Sequence, residues 1–163
     1  MNSQRREYIR TIIFGVEDSL VSTTGLIAGL SVGTNNKSVV IIGGVVAIAV
    51  EAISMGAGEY ISDDAIEEAN RSKRGPRGAF KSGLLMLVSY FLAGLIPLLP
   101  IVVFVYPTSL YISLFLALCG LFALGYAKGK VLNTNPWRGA IKVLIVGGLA
   151  TILGIVVGLV FKI

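Results

Sequence analysis

The chain has 163 residues, a net charge of +5 and a hydrophobic share of 55%, with a mean hydropathy of +0.83. That is more apolar than one water-soluble core needs, and it reads as a single all-α integral membrane domain, residues 1–163. A lone cysteine, Cys119, and the absence of His exclude an intramolecular disulfide, a Cys/His metal site and the usual nucleophile–base pairs, so no enzyme is expected.

A bilayer core of about 30 Å takes roughly 20 apolar residues to cross, and five runs qualify. The first, 11–32, follows the basic start "MNSQRREYIR" and is too long for a signal peptide, with no small-residue cleavage pattern, so it reads as an uncleaved helix. The turn "GTNNKS" leads to the second, 39–61, and a polar segment, 62–81, leads to the third, 82–105, whose outer part holds Pro97 and Pro100. After "YPT" comes the fourth, 108–127, containing Cys119, which reads as a small buried hydrophobe. After "KGKVLNTNPWR" comes the fifth, 139–161. Trp137, Tyr106 and Tyr111 fall near span ends, where amphipathic rings collect. No internal repeat is evident, and five spans do not divide into two inverted halves.

The basic residues sort by side. Arg5, Arg6 and Arg10, then Arg71, Lys73, Arg74, Arg77 and Lys81, then Lys128, Lys130, Arg138 and Lys142 all fall on one side, against Lys37 and Lys162 on the other. Since Lys and Arg near span ends favour the cytoplasm, the N-terminus is expected inside and the C-terminus outside. This distribution accounts for the positive charge without a nucleic-acid partner.

All the acidic residues lie within the first 68 positions, and Glu17, Asp18, Glu51 and Glu59 lie inside the first two spans. A carboxylate at mid-membrane costs at least about 2.5 kcal/mol and usually faces a bundle interior or a water-filled path. By a rise of 1.5 Å per residue, Asp18 and Met55 sit at matching depths of roughly 10 Å, Glu51 one turn deeper and Glu59 one turn shallower. Glu51, Met55 and Glu59 share a helical face at i, i+4, i+8. Glu17 and Asp18 point about 100° apart, so only one of them looks into a common path. Carboxylates alone suit Mg²⁺, Ca²⁺ or protons, and a thioether among them adds a softer ligand compatible with Fe²⁺ or Mn²⁺. Taken alone, Met55 reads as a gap-filling core residue, and Glu59 as either a ligand or a snorkelling side chain. Ser22, Thr23 and Thr24 read as hydroxyls satisfying carbonyls of their own helix.

Small residues recur at close-packing spacing, Gly25, Gly29 and Gly33 in the first span and Gly43 with Ala47 in the second, without naming a partner. A symmetric homodimer would double the ligands about one axis.

The stretches "GVEDSLVSTTGLIAGLS" and "AISMGAGEYIS" resemble the first- and second-helix patterns of the vacuolar iron transporter family. The resemblance implies a five-helix subunit that dimerises and moves Fe²⁺ or Mn²⁺ out of the cytosol. It also implies that Asp18 and Met55 line the path at the dimer interface, with "GEY" at Gly58, Glu59 and Tyr60 as found in prokaryotic members. Asp18 is followed by Ser19 where the family has Gly, and a second-helix Glu of some members corresponds to Ala47, with Glu51 one turn nearer Met55 as its replacement. The long Glu-rich cytoplasmic domain of well-studied members is absent, its place taken by 62–81. There Asp63, Asp64, Glu67 and Glu68 either attract metal to the entrance or form a solvated helix end with Glu67 paired to Arg71.

The expected function is therefore a secondary transporter of a divalent transition metal. Asp18 and Met55 bind the ion, Glu51, with Asp18, couples it to protons, and Glu59 receives it. The ion is cargo, no permanently bound cofactor is expected, and no phosphate-binding loop suggests ATP. The cell membrane is preferred over an organelle. The competing reading is a membrane assembly subunit whose acids make interhelical contacts and pass no ion.

Overall fold

The computed structural model describes residues 3–69 and 76–162; Arg71, Lys73 and Arg74 of the charge count, and with them the Glu67–Arg71 pairing, lie outside. The described residues form α1 (Ser3–Thr34), α2 (Lys37–Ala69), α3 (Pro76–Val103), α4 (Thr108–Val131) and α5 (Pro136–Val160). All five are long and apolar enough to cross a membrane, and each overlaps one expected span. The ends differ. The first helix starts at Ser3 rather than at 11, and α2 runs to Ala69, so much of the polar segment 62–81 is helix. Counting apolar residues finds the hydrocarbon boundary, whereas a helix already nucleated continues through polar residues at one hydrogen bond per residue added.

Asparagines shape two of the turns. Asn35 and Asn133 adopt positive φ, 48° and 53°, a conformation that Asn tolerates better than most residues. The next Asn in the first turn opens α2, Asn36 Oδ1 accepting from the Ser38 and Val39 amides at 2.9 and 3.4 Å. Asn135 does the same for α5, accepting from the amides of Trp137 and Arg138 with Pro136 at the start of the helix. At the opposite end of the bundle, Lys37 Nζ donates to the carbonyls of Val102 and Phe104 at 3.1 and 2.9 Å, satisfying groups a helix end leaves unpaired.

The first helix is central and touches the other four. Leu20 packs with Ala93, Leu121 and Val143, and further along Ile27 packs with Val40, Ile48, Leu98 and Ile101. The glycine row of α1 finds its partner inside the subunit: a Cβ on Gly25, Gly29 or Gly33 would lie 3.0, 2.8 or 3.2 Å from the carbonyl oxygens of Ala150, Gly154 and Gly158 in α5. Backbones can approach this closely only where side chains are missing. The second helix leans instead on α3, with Gly56 against Gly83 and Leu87, and its contact with α1 is the smallest in the bundle.

Both prolines of α3 lie inside the helix, which continues through them; Ser113 Oγ of α4 donates to the Pro97 carbonyl at 2.6 Å. Trp137 is exposed and packs edge-on against Phe122 and Tyr126. Cys119 is exposed, which corrects the buried reading. Apolar neighbours in sequence imply burial in water, but the lipid-facing side of a membrane helix is apolar as well.

Candidate functional site

The antiparallel helices α1 and α2 are joined by polar contacts at two levels. Nearer the basic end, Thr11 Oγ1 donates to Glu59 Oε1 at 2.6 Å, and Arg10 stands 3.8 Å from the same oxygen. Deeper, Ser22 Oγ donates to Glu51 Oε2 at 3.3 Å. Asp18 is one turn from Ser22 toward the basic end, and Met55 one turn from Glu51 in the same direction, so both fall at one level between the two contacts. Asp18 is partly buried and within electrostatic reach of Glu51 and of its neighbour Glu17. Met55 is also partly buried.

The third helix completes the deeper contact through Tyr90, only 1% exposed. Its hydroxyl donates to Glu51 Oε2 and lies 2.7 Å from Ser22 Oγ, while Ser19 Oγ donates to the Tyr90 carbonyl at 2.6 Å. One carboxylate oxygen of Glu51 is thus anchored from α1 and α3 together. The sequence reading gave α3 no part in the site. A signal was there: a tyrosine in mid-span, far from either interface, brings a hydroxyl that needs a buried partner. Ser22 likewise departs from expectation. Its contact with its own helix, to the Ser19 carbonyl, is 3.5 Å, and its closer partners are Tyr90 and Glu51. Thr24 does bond the Leu20 carbonyl as expected, whereas Thr23 Oγ1 is buried without a hydrogen-bond partner among the described residues.

Glu17 and Asp18 diverge as their angular separation requires. Glu17 turns to α4, where Lys128 Nζ approaches its Oε2 at 2.9 Å. Glu17 and Glu59 line a cavity of about 540 Å³ at the basic end, together with Arg6, Arg10, Thr11, Met86 and Lys128. Glu51 instead lines an apolar groove of about 540 Å³ between α1 and α5, where Ser22 and Thr34 are the other polar residues. Glu51 and Glu59, which their spacing puts on one helical face, therefore border separate spaces.

Of the four acids at the end of α2, Asp63 and Asp64 are partly buried and Glu68 is exposed. Glu67 is 8% exposed with neither oxygen hydrogen-bonded among the described residues, so a solvated helix end does not describe it. Among the described residues, no three Asp, Glu, His or Cys side chains gather as a metal-binding group. A cation bound by this subunit alone would draw on two acids at most, with thioether, hydroxyl or carbonyl oxygen ligands beside them.

The comparisons with known proteins give this geometry a setting. A family model described as the VIT family matches residues 9–75 and 65–159. The chain is 25% identical to a protein named vacuolar iron transporter 1 from Eucalyptus grandis, with 89% of this chain and 83% of that protein covered. It is also 25% identical to vacuolar iron transporter 1 of Arabidopsis thaliana, over 89% and 82%, and 27% identical to vacuolar iron transporter homolog 2 of Oryza sativa subsp. japonica, over 91% and 88%. The first two alignments extend over 206 positions, more than the 163 residues of this chain, so those relatives carry residues that it lacks. With the family model matched from α1 through nearly all of α5, the chain belongs to the VIT family.

Proposed function

We propose that the chain is a secondary transporter that moves a divalent transition metal, Fe²⁺ or Mn²⁺, out of the cytosol in exchange for protons. The observation that carries the reading is Glu51 held by Ser22 and Tyr90 within a membrane bundle, with Asp18 in electrostatic reach, in a family whose relatives are named iron transporters. Asp18 and Met55 bind the ion at their shared level. Glu51 offers its free oxygen while Tyr90 and Ser22 hold the other. Protons and metal compete for the same carboxylates, so loading one releases the other. Glu59, in the cavity at the basic end, receives the ion, and Asp63, Asp64, Glu67 and Glu68 form the approach.

The N-terminus faces the cytosol, the side that the basic residues favour. Two subunits pair with their α1–α2 faces together, since α1 and α2 touch each other little within the subunit and one subunit gathers too few acids for a full coordination shell. The family match breaks into two stretches that meet at 65–75, which supports a short member lacking the additional domain between α2 and α3. The relatives' names place those proteins at a vacuole and weigh against the cell-membrane expectation.

The test is flux of Mn²⁺ or Fe²⁺ into liposomes holding the purified protein, with and without a pH gradient. Metal-dependent flux that rises with the gradient and is lost in Asp18→Ala supports the reading; equal flux through wild type and Asp18→Ala removes the site. One observation favours the assembly-subunit reading: Glu17, Glu51 and Glu59 each have a partner within the bundle. That reading predicts no flux in any variant and loss of assembly when Glu51 is replaced.

A further inference from the structure

At the basic end, the close of α4, the turn after it and the opening of α5 enclose a second cavity of about 590 Å³ against Glu17 of α1. Three cations line it, Lys128, Arg138 and Lys142. Lys128 is committed to Glu17 at 2.9 Å, whereas Arg138 and Lys142 have no ion pair among the described residues. Those two stand at i, i+4 on α5, a spacing that makes like charges neighbours and costs stability unless an anion lies between them. The acid that lines the cavity, Glu17, is already paired with Lys128.

The cavity has a second chemistry. Val143 and Val146, further along α5, form an apolar wall, and Trp137, next to Arg138 in sequence, is exposed and packs on Tyr126, as rings do at the headgroup level. Asn135 accepts through Oδ1 from two amides, which leaves its side-chain NH₂ as a further donor. Cations and an amide donor at the rim, followed inward by valines, repeat the order of a phospholipid read from phosphate to acyl chain.

We propose that this cavity binds an anionic phospholipid, its phosphate held by Arg138 and Lys142 and an acyl chain lying along the exposed Val146. Arg offers parallel N–H donors to phosphate oxygens and Lys a point charge, and basic pockets between membrane helices suit such headgroups. The site stands whether or not the chain transports metal.

The full chain, purified in neutral detergent and stripped of lipid, is given phosphatidylglycerol, phosphatidylcholine or inorganic phosphate, and both retained lipid and unfolding temperature are read. Phosphatidylglycerol is retained and raises the unfolding temperature, and the other two do not. Arg138→Gln with Lys142→Gln lowers retention about tenfold, while Arg5→Gln with Lys81→Gln, an equal charge loss at the same end outside the cavity, leaves it unchanged. Should the first pair fail to fold, Val146→Trp fills the acyl end, keeps both cations and gives the same loss. Equal loss in the control pair, undiminished retention in the cavity variants, or equal stabilisation by inorganic phosphate overturns the proposal.

Discussion

A carboxylate with one anchored oxygen is a different ligand from a free one. Glu51 Oε2 is held by Tyr90 and Ser22, which fixes the direction in which the other oxygen points. Removing the phenol hydroxyl in Tyr90→Phe keeps the buried ring and frees Glu51 to turn. We expect the half-saturating metal concentration to rise about threefold to tenfold with the maximal rate kept. If Tyr90 acts through Glu51, Tyr90→Phe added to Glu51→Gln costs nothing more than Glu51→Gln alone; additive effects in the flux assay would separate the two residues. Glu17 gives a contrast. Its pair with Lys128 has side chains 24% and 37% exposed, so Glu17→Gln is expected to cost under about 1 kcal/mol in thermal unfolding and to leave flux intact, while Asp18→Asn abolishes flux.

Among helices, the decisive contact is the glycine row joining α1 to α5. A Cβ at Gly29 would meet the Gly154 carbonyl oxygen at 2.8 Å, and a backbone atom cannot rotate away as a side chain does. Gly29→Ala is therefore expected to destabilise by about 1 to 3 kcal/mol. Gly58, on α2, has nothing within 4 Å of the place a methyl group would take; Gly58→Ala is expected to be neutral or to stabilise by about 0.5 to 1 kcal/mol through helix preference. Unfolding curves of both variants in one detergent check the pair of outcomes. The glycine spacing was legible in the sequence, but its partner was not, because four-residue spacing marks a face and leaves open whether another helix of the chain or a second subunit covers it.

For the whole molecule, the charge distribution gives an expectation of sidedness. In a Cys119→Ser background, Thr108→Cys at the start of α4 should react with a membrane-impermeant maleimide added to intact bacterial cells expressing the chain in their inner membrane, with the outer membrane made permeable. Thr134→Cys in the next turn should react only after lysis; the reverse pattern would invert the topology. Much of the architecture was legible from the chain: five spans, their order and the depth of Asp18 against Met55 follow from apolar run lengths and a fixed rise per residue. The candidate site was legible in part, since depth singles out Asp18 and Glu51. Depth gives no azimuth between helices, however, so neither Tyr90 nor the turning of Glu17 toward Lys128 could be read that way.

Apolar length and charge along the chain are one-dimensional quantities, and they determined by themselves the span count, the helical class and the residues whose burial in lipid demands a reason. Which helices touch is a three-dimensional matter. Only the tertiary structure decided that α1 sits at the centre, that its glycines serve α5, and that a hydroxyl from α3 reaches Glu51. The physical reason is that lipid accepts any apolar helix face equally, so the choice of neighbour falls to close packing and to a few polar contacts, and both depend on how the helices are rotated against one another.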